Sequence, residues 1–263
     1  MLQATSCRIA LPMRRLLIPC LWLLATPALA DELPAFDRPG LGFGTDTVPR
    51  GALAVELGLP TWERDRDRDG VRTRSLAGDV LLRTGLSEQL ELQVSATPWQ
   101  RQSVRSADLP TQRQHGSGDT QIALKWAGPG STERTAWALL ASAVVARGDA
   151  DFSEGRQYAL ALSVEQALGE RWTAALYASH QRGDGERSTT WSPSLSLAAT
   201  ERLSLFIEAG LTHSRDAPDQ RVAGAGITWM LRPRVQLDAS FDAGLDADSP
   251  DLQVGTGLAV YFD

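Results

Sequence analysis

From Gly51 to Phe262 the chain repeats one pattern: about ten residues of alternating apolar and polar side chains, then a break. In Leu203-Ser204-Leu205-Phe206-Ile207-Glu208-Ala209-Gly210-Leu211 every second residue is apolar. Successive side chains on a strand point to opposite faces, so each segment builds one apolar face and one mixed face. The pattern predicts strands over 51–62, 73–86, 89–99, 118–127, 135–147, 156–168, 171–182, 188–199, 202–213, 220–231, 234–245 and 251–262. Their connections alternate in kind. Ser87-Glu88, Gly128 to Arg134, Gly169-Glu170, Thr200-Glu201 and Arg232-Pro233 are mostly tight turns, whereas 63–72, 100–117, 148–155, 183–187, 214–219 and 246–250 are longer or more polar. Short periplasmic turns, longer external loops and an even strand number characterise outer-membrane barrels. The expected fold is all-β, an antiparallel transmembrane β-barrel of about 12 strands with both termini on the periplasmic side.

The tryptophans fit this topology. Trp62, Trp99 and Trp191 fall at predicted outer strand ends, and Trp126, Trp137, Trp172 and Trp229 at inner ends. Indoles favour the headgroup level, so two belts are expected of a spanning barrel, whereas a soluble barrel would hold them in strand middles. Lipid-facing sets follow from the register: Leu53, Val55, Leu57 and Leu59; Leu90, Leu92 and Val94; Val235, Leu237 and Phe241 flanking Ala239. The opposite face carries Glu56, Asp79, Arg83, Glu91, Lys125, Glu165, Glu208, Asp238 and Asp242, the candidate lumen-lining residues. Seven of these nine are acids, which makes the expected wall net negative.

Ahead of the strands, Arg8, Arg14 and Arg15 precede the apolar run Leu16 to Leu24, and Ala28-Leu29-Ala30 forms a small-x-small cleavage site. Residues 1–30 read as a signal peptide cleaved after Ala30, with translation starting at Met1 or at Met13. The apolar run is shorter than the ~20 residues a membrane helix needs. Cys7 and Cys20 both lie in this segment, so the exported part has no cysteine for disulfides, thiolate metal sites or thiol catalysis. The formal net charge is −6 and becomes more negative once the three arginines leave, which excludes a nucleic-acid partner. Residues 31–50, rich in Gly and Pro, form a periplasmic N-terminal segment, read either as a lumen plug or as an unstructured tail; 51–263 is the barrel.

Enzymatic and metal chemistry find little support. Glu63-Arg64-Asp65-Arg66-Asp67-Arg68-Asp69-Gly70 matches the start of a calcium loop, but Leu76 stands where the bidentate Glu is required and arginines interleave the acids. A self-neutralising, solvated external loop is expected instead. A lipid hydrolase needs His and Ser close together on one face. His115 falls in a predicted loop, and His213-Ser214 are sequence neighbours that point apart. His180 and Ser188 flank an external loop and could approach each other. No phosphate-binding loop is present, and Gly224, Gly226, Gly255 and Gly257 are read as relieving crowding on the inner wall. No catalytic residue, cofactor or metal site is assigned.

Several short motifs resemble the outer-membrane family described as "putative meta-pathway of phenol degradation". They are Arg38-Pro39-Gly40, Gly44-Thr45-Asp46-Thr47-Val48-Pro49, Gly118-Asp119, Trp229, Pro233, Gln236-Leu237-Asp238, Asp248-Ser249-Pro250-Asp251 and Gly255-x-Gly257. The resemblance covers most of the exported chain and implies a barrel that moves small, often aromatic or hydrophobic compounds across the outer membrane of a Gram-negative bacterium. Such barrels commonly end on an aromatic residue, whereas here Asp263 follows Phe262. The expected function is passive passage of a small, neutral aromatic or hydrophobic molecule. The alternatives are a structural or surface-interaction barrel and, ranked last, an outer-membrane lipid hydrolase. The expected partners are outer-membrane lipid and lipopolysaccharide, the barrel-assembly machinery and the solute.

Overall fold

The alternating segments fold into one continuous antiparallel sheet that closes on itself. The computed structural model describes residues 35–132, 134–184 and 186–263; the signal peptide read over 1–30 lies outside the described residues. The strands are β1 (Leu53–Arg66), β2 (Arg72–Gly85), β3 (Leu90–Arg105), β4 (Gln112–Gly116), β5 (Thr120–Ala127), β6 (Thr135–Ala146), β7 (Gln157–Ala167), β8 (Trp172–Gly183), β9 (Glu186–Ala198), β10 (Leu203–Ser214), β11 (Gln220–Arg232), β12 (Val235–Gly244) and β13 (Leu252–Phe262). Closure comes from β13 pairing with β1, from Leu53 opposite Phe262 to Arg64 opposite Leu252.

Twelve staves arise from these strands because β4 and β5 share one position. The inner part of β3 pairs with β5, from Leu90 opposite Trp126 to Ala96 opposite Thr120, and its outer part pairs with β4, from Gln100 opposite Gly116 to Val104 opposite Gln112. The exchange happens at Pro98, which has no N–H to give a ladder. Opposite it the chain breaks at Ser117-Gly118-Asp119, where the Gly118 N–H donates to the Thr97 carbonyl.

Two expectations about the outer side need correction. The stretch 100–117 is not a free loop: β3 runs to Arg105 and β4 returns beside it, which places His115 in a strand. Likewise Glu63–Arg66 is the outer end of β1, and only 67–71 turns. Both strands continue past the lipid zone because each has a neighbour with which to keep pairing. Consequently Trp62 and Trp99 lie inside their strands, not at the ends, and Trp191 likewise lies inside β9, which starts at Glu186.

The two faces differ as a membrane requires. Leu205, Ile207, Leu237 and Phe241 are exposed on the outer face, Ile207 at 59%. Among the tryptophans, Trp99 and Trp191 of the outer level and Trp126, Trp172 and Trp229 of the inner level are also exposed. Trp137 packs edge-on against Trp126, with ring centroids 5.4 Å apart. Such a continuous apolar band between two indole belts is stable only against lipid. The interior is the reverse: the largest fully buried side chains include Arg83, Lys125, Glu56 and Glu91. This inside-out distribution is that of an outer-membrane barrel.

Candidate functional site

Inside the barrel, segment 35–50 runs between strands that are far apart in sequence, held largely by its backbone N–H groups. Glu56 on β1 accepts from the amides of Asp37 (3.0 Å) and Arg38 (2.8 Å). Glu208 on β10 accepts from the Leu41 amide at 2.8 Å. Glu165 on β7 accepts from both the amide and the hydroxyl of Thr45, at 3.1 and 3.0 Å. Glu91 on β3 accepts from the Val48 amide at 2.6 Å. Each of these amides thereby finds an acceptor, and four inward carboxyl groups form a cradle for an otherwise irregular peptide.

Arg83 on β2 organises one side of this cradle. Its guanidinium donates to both Glu91 oxygens (2.8 and 3.1 Å), to Glu56 (3.0 Å) and to the carbonyls of Ala35 (3.1 Å) and Asp46 (3.3 Å). All five N–H groups of the side chain are thereby used. Lys125 on β5 donates to Asp37 at 3.0 Å and lies 5.4 Å from the centre of the Phe43 ring. Phe43 in turn meets Tyr177 on β8 edge-on, with centroids 5.8 Å apart. Gln93 bridges Asp37 and Glu91.

The glycines of the segment are explained by close approach. A Cβ on Gly42 would stand 3.0 Å from the Tyr177 Cβ, and Gly40, at φ +125°, passes beneath the Glu208 carboxylate. On the wall, a side chain at Gly224, Gly226 or Gly257 would collide with Asp242, Phe206 or Asp238 respectively, whereas Gly255 has ordinary space around it.

On the outer side of the segment two cavities flank Arg38. One of about 170 Å³ is bordered by Gly40, Leu41, Thr61, Ser240, Asp242 and Gln253. The other, about 220 Å³, is bordered by Asp79, Ser95, Thr97, Asp119 and Gln121. Arg38 donates to Asp238 at 3.3 Å and to the Thr256 carbonyl at 3.2 Å, while its own carbonyl accepts from Gln236. Asp79 is held by Thr97 at 2.7 Å and Thr61 at 3.4 Å. Four buried polar atoms among the described residues have no protein partner: Arg38 Nε, Glu208 Oε1, Asp238 Oδ2 and Asp242 Oδ1.

The nine inward residues named from sequence thus divide. Glu56, Arg83, Glu91, Lys125, Glu165 and Glu208 contact the segment's backbone or its Asp37, and Asp238 contacts its Arg38. Asp79 and Asp242 border the outer cavities. Sequence reasoning named Arg38 and Thr45 only within the family motifs, without a role, and missed Asp37, Gln93 and Tyr177. The alternate glycines Gly40, Gly42 and Gly44 were the one signal of a peptide packed at close quarters. Of the hydrolase candidates, His180 bonds Thr189 at 3.0 Å and stands opposite that residue, not Ser188, while His213 pairs with Asp219. Residues 67–71 form a turn in which Asp67 accepts the Asp69 and Val71 amides.

Residues 36–262 match the family model described as "Putative MetA-pathway of phenol degradation". The chain belongs to this family. No curated protein matches it. Among solved structures, the chain is similar to an outer-membrane channel from Pseudomonas putida F1, with a TM-score of 0.68 at 14% identity over 86% of this chain and 99% of that one. It is also similar to the β domain of the Bordetella autotransporter Brka (TM-score 0.53, 14% identity, 80% of this chain and 98% of that one). A third likeness is to the KdgM porin (TM-score 0.51, 8% identity, 80% and 98%). At these identities the likeness is one of fold, and it agrees with the closed antiparallel barrel.

Proposed function

We propose that this protein is a passive outer-membrane channel for small solutes, with segment 35–50 as an internal constriction. The observation that carries the reading is the cradle: backbone amides of Asp37, Arg38, Leu41, Thr45 and Val48 bound to carboxylates on β1, β3, β7 and β10. A barrel of twelve strands ~4.8 Å apart and tilted ~40° has a backbone diameter of about 24 Å, wide enough to hold such a strap beside an aqueous path. The favoured solutes are cations and neutral aromatic or hydrophobic molecules. Glu56, Asp79, Glu91, Glu165, Glu208, Asp238 and Asp242, joined by Asp37, outnumber the interior bases Arg38, Arg83 and Lys125, and a low-dielectric wall strengthens that field. The Phe43–Tyr177 pair offers an aromatic surface beside the strap, and the family description points to phenol degradation. Neither a cofactor nor a nucleic acid enters this scheme; the barrel-assembly machinery and outer-membrane lipid are the partners it requires.

Reversal potentials in planar bilayers under a salt gradient test this reading. Cation selectivity is expected, and replacing Asp79 and Asp242 with Asn is expected to reduce it. Anion selectivity would refute the charge argument. Absence of conductance both in the full protein and after deletion of 35–47 would favour the structural or surface-contact barrel, which the ordered β3–β4 hairpin also suits.

A further inference from the structure

The outer ends of β1 to β4 form a small sheet standing above Trp62 and Trp99. Strand alternation sorts its charges by face. Arg64 and Arg66 on β1 point outward and are exposed, while Glu63 and Asp65 turn inward, where Glu63 accepts from Gln253. The run Glu63 to Gly70 is therefore not self-neutralising, contrary to expectation: its first four charges are separated onto two faces. The same outward face carries Arg72 and Arg74 on β2, Arg101 and Arg105 on β3, and Arg113 on β4, all exposed. None of its strand positions is acidic.

The pairing makes this concentration costly. Arg64 stands directly opposite Arg74, Arg66 opposite Arg72, and Arg72 opposite Arg105. Arg101 faces His115. Like charges directly opposite on neighbouring strands destabilise a sheet, because their side chains start only ~5 Å apart. Elsewhere on the outer rim a like-charged pairing occurs singly, Arg182 opposite Arg187, and Arg147 and Arg221 have carboxylate partners, Asp184 and Asp246 respectively. On this face only Arg64 has one, Asp251 at 3.5 Å, among the described residues. An unrelieved cluster of this density needs an anion to bridge it.

We infer that this arginine face binds the phosphate groups of lipopolysaccharide in the outer leaflet. The height fits, because the arginines begin immediately beyond the indoles, which mark the headgroup level. The geometry fits as well. Strands ~4.8 Å apart and i, i+2 side chains ~7 Å apart set the guanidinium groups in a two-dimensional array able to grip phosphates bidentately. Multiply phosphorylated saccharide headgroups supply several such anions in one molecule, which a single free phosphate does not. The site is independent of solute passage and rests only on the orientation that puts the β3–β4 hairpin outside.

The test uses the full exported protein, refolded in detergent free of lipopolysaccharide, with bisphosphorylated lipid A in mixed micelles as the probe. Folding is checked by heat-modifiable gel mobility. Substituting Arg72→Gln, Arg74→Gln, Arg101→Gln and Arg105→Gln together should weaken lipid A binding by about tenfold or more. The matched set Arg147→Gln, Arg156→Gln, Arg215→Gln and Arg221→Gln should leave it nearly unchanged. Without lipid A, the first variant should melt at the same temperature as the parent or higher, since repulsion is relieved; with lipid A it should melt lower. If four changes prevent folding, Arg72→Gln with Arg105→Gln gives the same comparison. Equal binding of phosphatase-treated lipid A, equal weakening by the matched set, or undiminished binding by the first variant would each overturn the assignment.

Discussion

Replacing Arg83 with Met removes one charge from a site that is 1% exposed while keeping much of the side chain's volume. Five hydrogen bonds disappear, three of them to Glu56 and Glu91, and the Asp37 carboxylate 3.4 Å away loses one of its two neighbouring cations, keeping Lys125 at 3.0 Å. What remains is a buried group of three carboxylates, two of which hold the amides of Asp37, Arg38 and Val48. Removing one partner of a buried ion pair costs ~3–5 kcal/mol, because the other charge is left uncompensated. At ~1.4 kcal/mol per decade this raises the undocked population of segment 35–50 by roughly two to three and a half orders of magnitude. The ladder of the barrel wall does not pass through Arg83's side chain, so the barrel should persist while the strap loosens. The expected readouts are a larger single-channel conductance and faster proteolysis within 35–50, with heat-modifiable mobility retained. Arg83→Lys keeps the charge but loses the two-pronged grip on Glu91, and should fall between. Unchanged conductance and unchanged protection in a folded Arg83→Met protein would refute the cradle as what holds the strap.

Other expectations follow from the wall and the loops. Leu205 is 41% exposed on the lipid face, so Leu205→Arg should cost ~2–4 kcal/mol in folding equilibria in lipid, whereas Glu208→Gln, which keeps an acceptor for the Leu41 amide, should be milder; equal effects would refute the register. A tag inserted within 106–111 should be labelled on intact cells and one in the turn 128–132 should not, and the reverse pattern would invert the topology. The external loop 148–155 is tied to the strand break by two carboxylates: Asp149 accepts the Ser117 amide and hydroxyl, and Asp119 accepts the amides of Gly148 and Glu154. The Ser117 bonds hold Asp149 below the usual Asp range; for Asp119, burial pushes upward but the bonds from Gly148, Ser153 and Glu154 prevail and lower it. Depressed carboxylates stabilise the folded state above their unfolded pKa, near 3.9, and lose that contribution as pH falls through the folded value. The protection of amides in 148–155, measured as the exchange rate relative to the intrinsic rate at the same pH, should therefore fall below about pH 4, and in a variant with Asn at both positions it should lose that pH dependence.

Within the lipid zone the strands were legible because one face must be apolar and the other need not be, which gives a period of two in hydropathy. The strand positions there agree within a few residues, and Leu205 and Glu208 take opposite faces as read. Beyond the indoles water lies on both sides, hydropathy stops alternating, and the outer ends of β1 and β3 vanished into apparent loops. A trace survived in charge: Glu63-Arg64-Asp65-Arg66 alternates in sign with the same period of two. The inward charges could be listed from register alone, but their partners could not. Amide groups of an irregular peptide have no side-chain signature, so nothing in Glu165 announces Thr45, or in Glu208 announces Leu41.

The strap also dates its own arrival. Its anchors are of two kinds. Glu56 and Glu91 lie only 18 to 43 residues from the amides they hold, whereas Leu41 to Glu208 spans 167 residues and Arg38 to Asp238 spans 200. The remote contacts form only when β13 has joined β1 and the cylinder is shut. The segment thus docks in two stages, on β1 to β3 first and against β10 and β12 last. A newly closed barrel therefore passes through an interval with its strap only half anchored. Its length is set by a local search of some fifteen residues, and pores of this lineage would be leakiest at the moment of their completion.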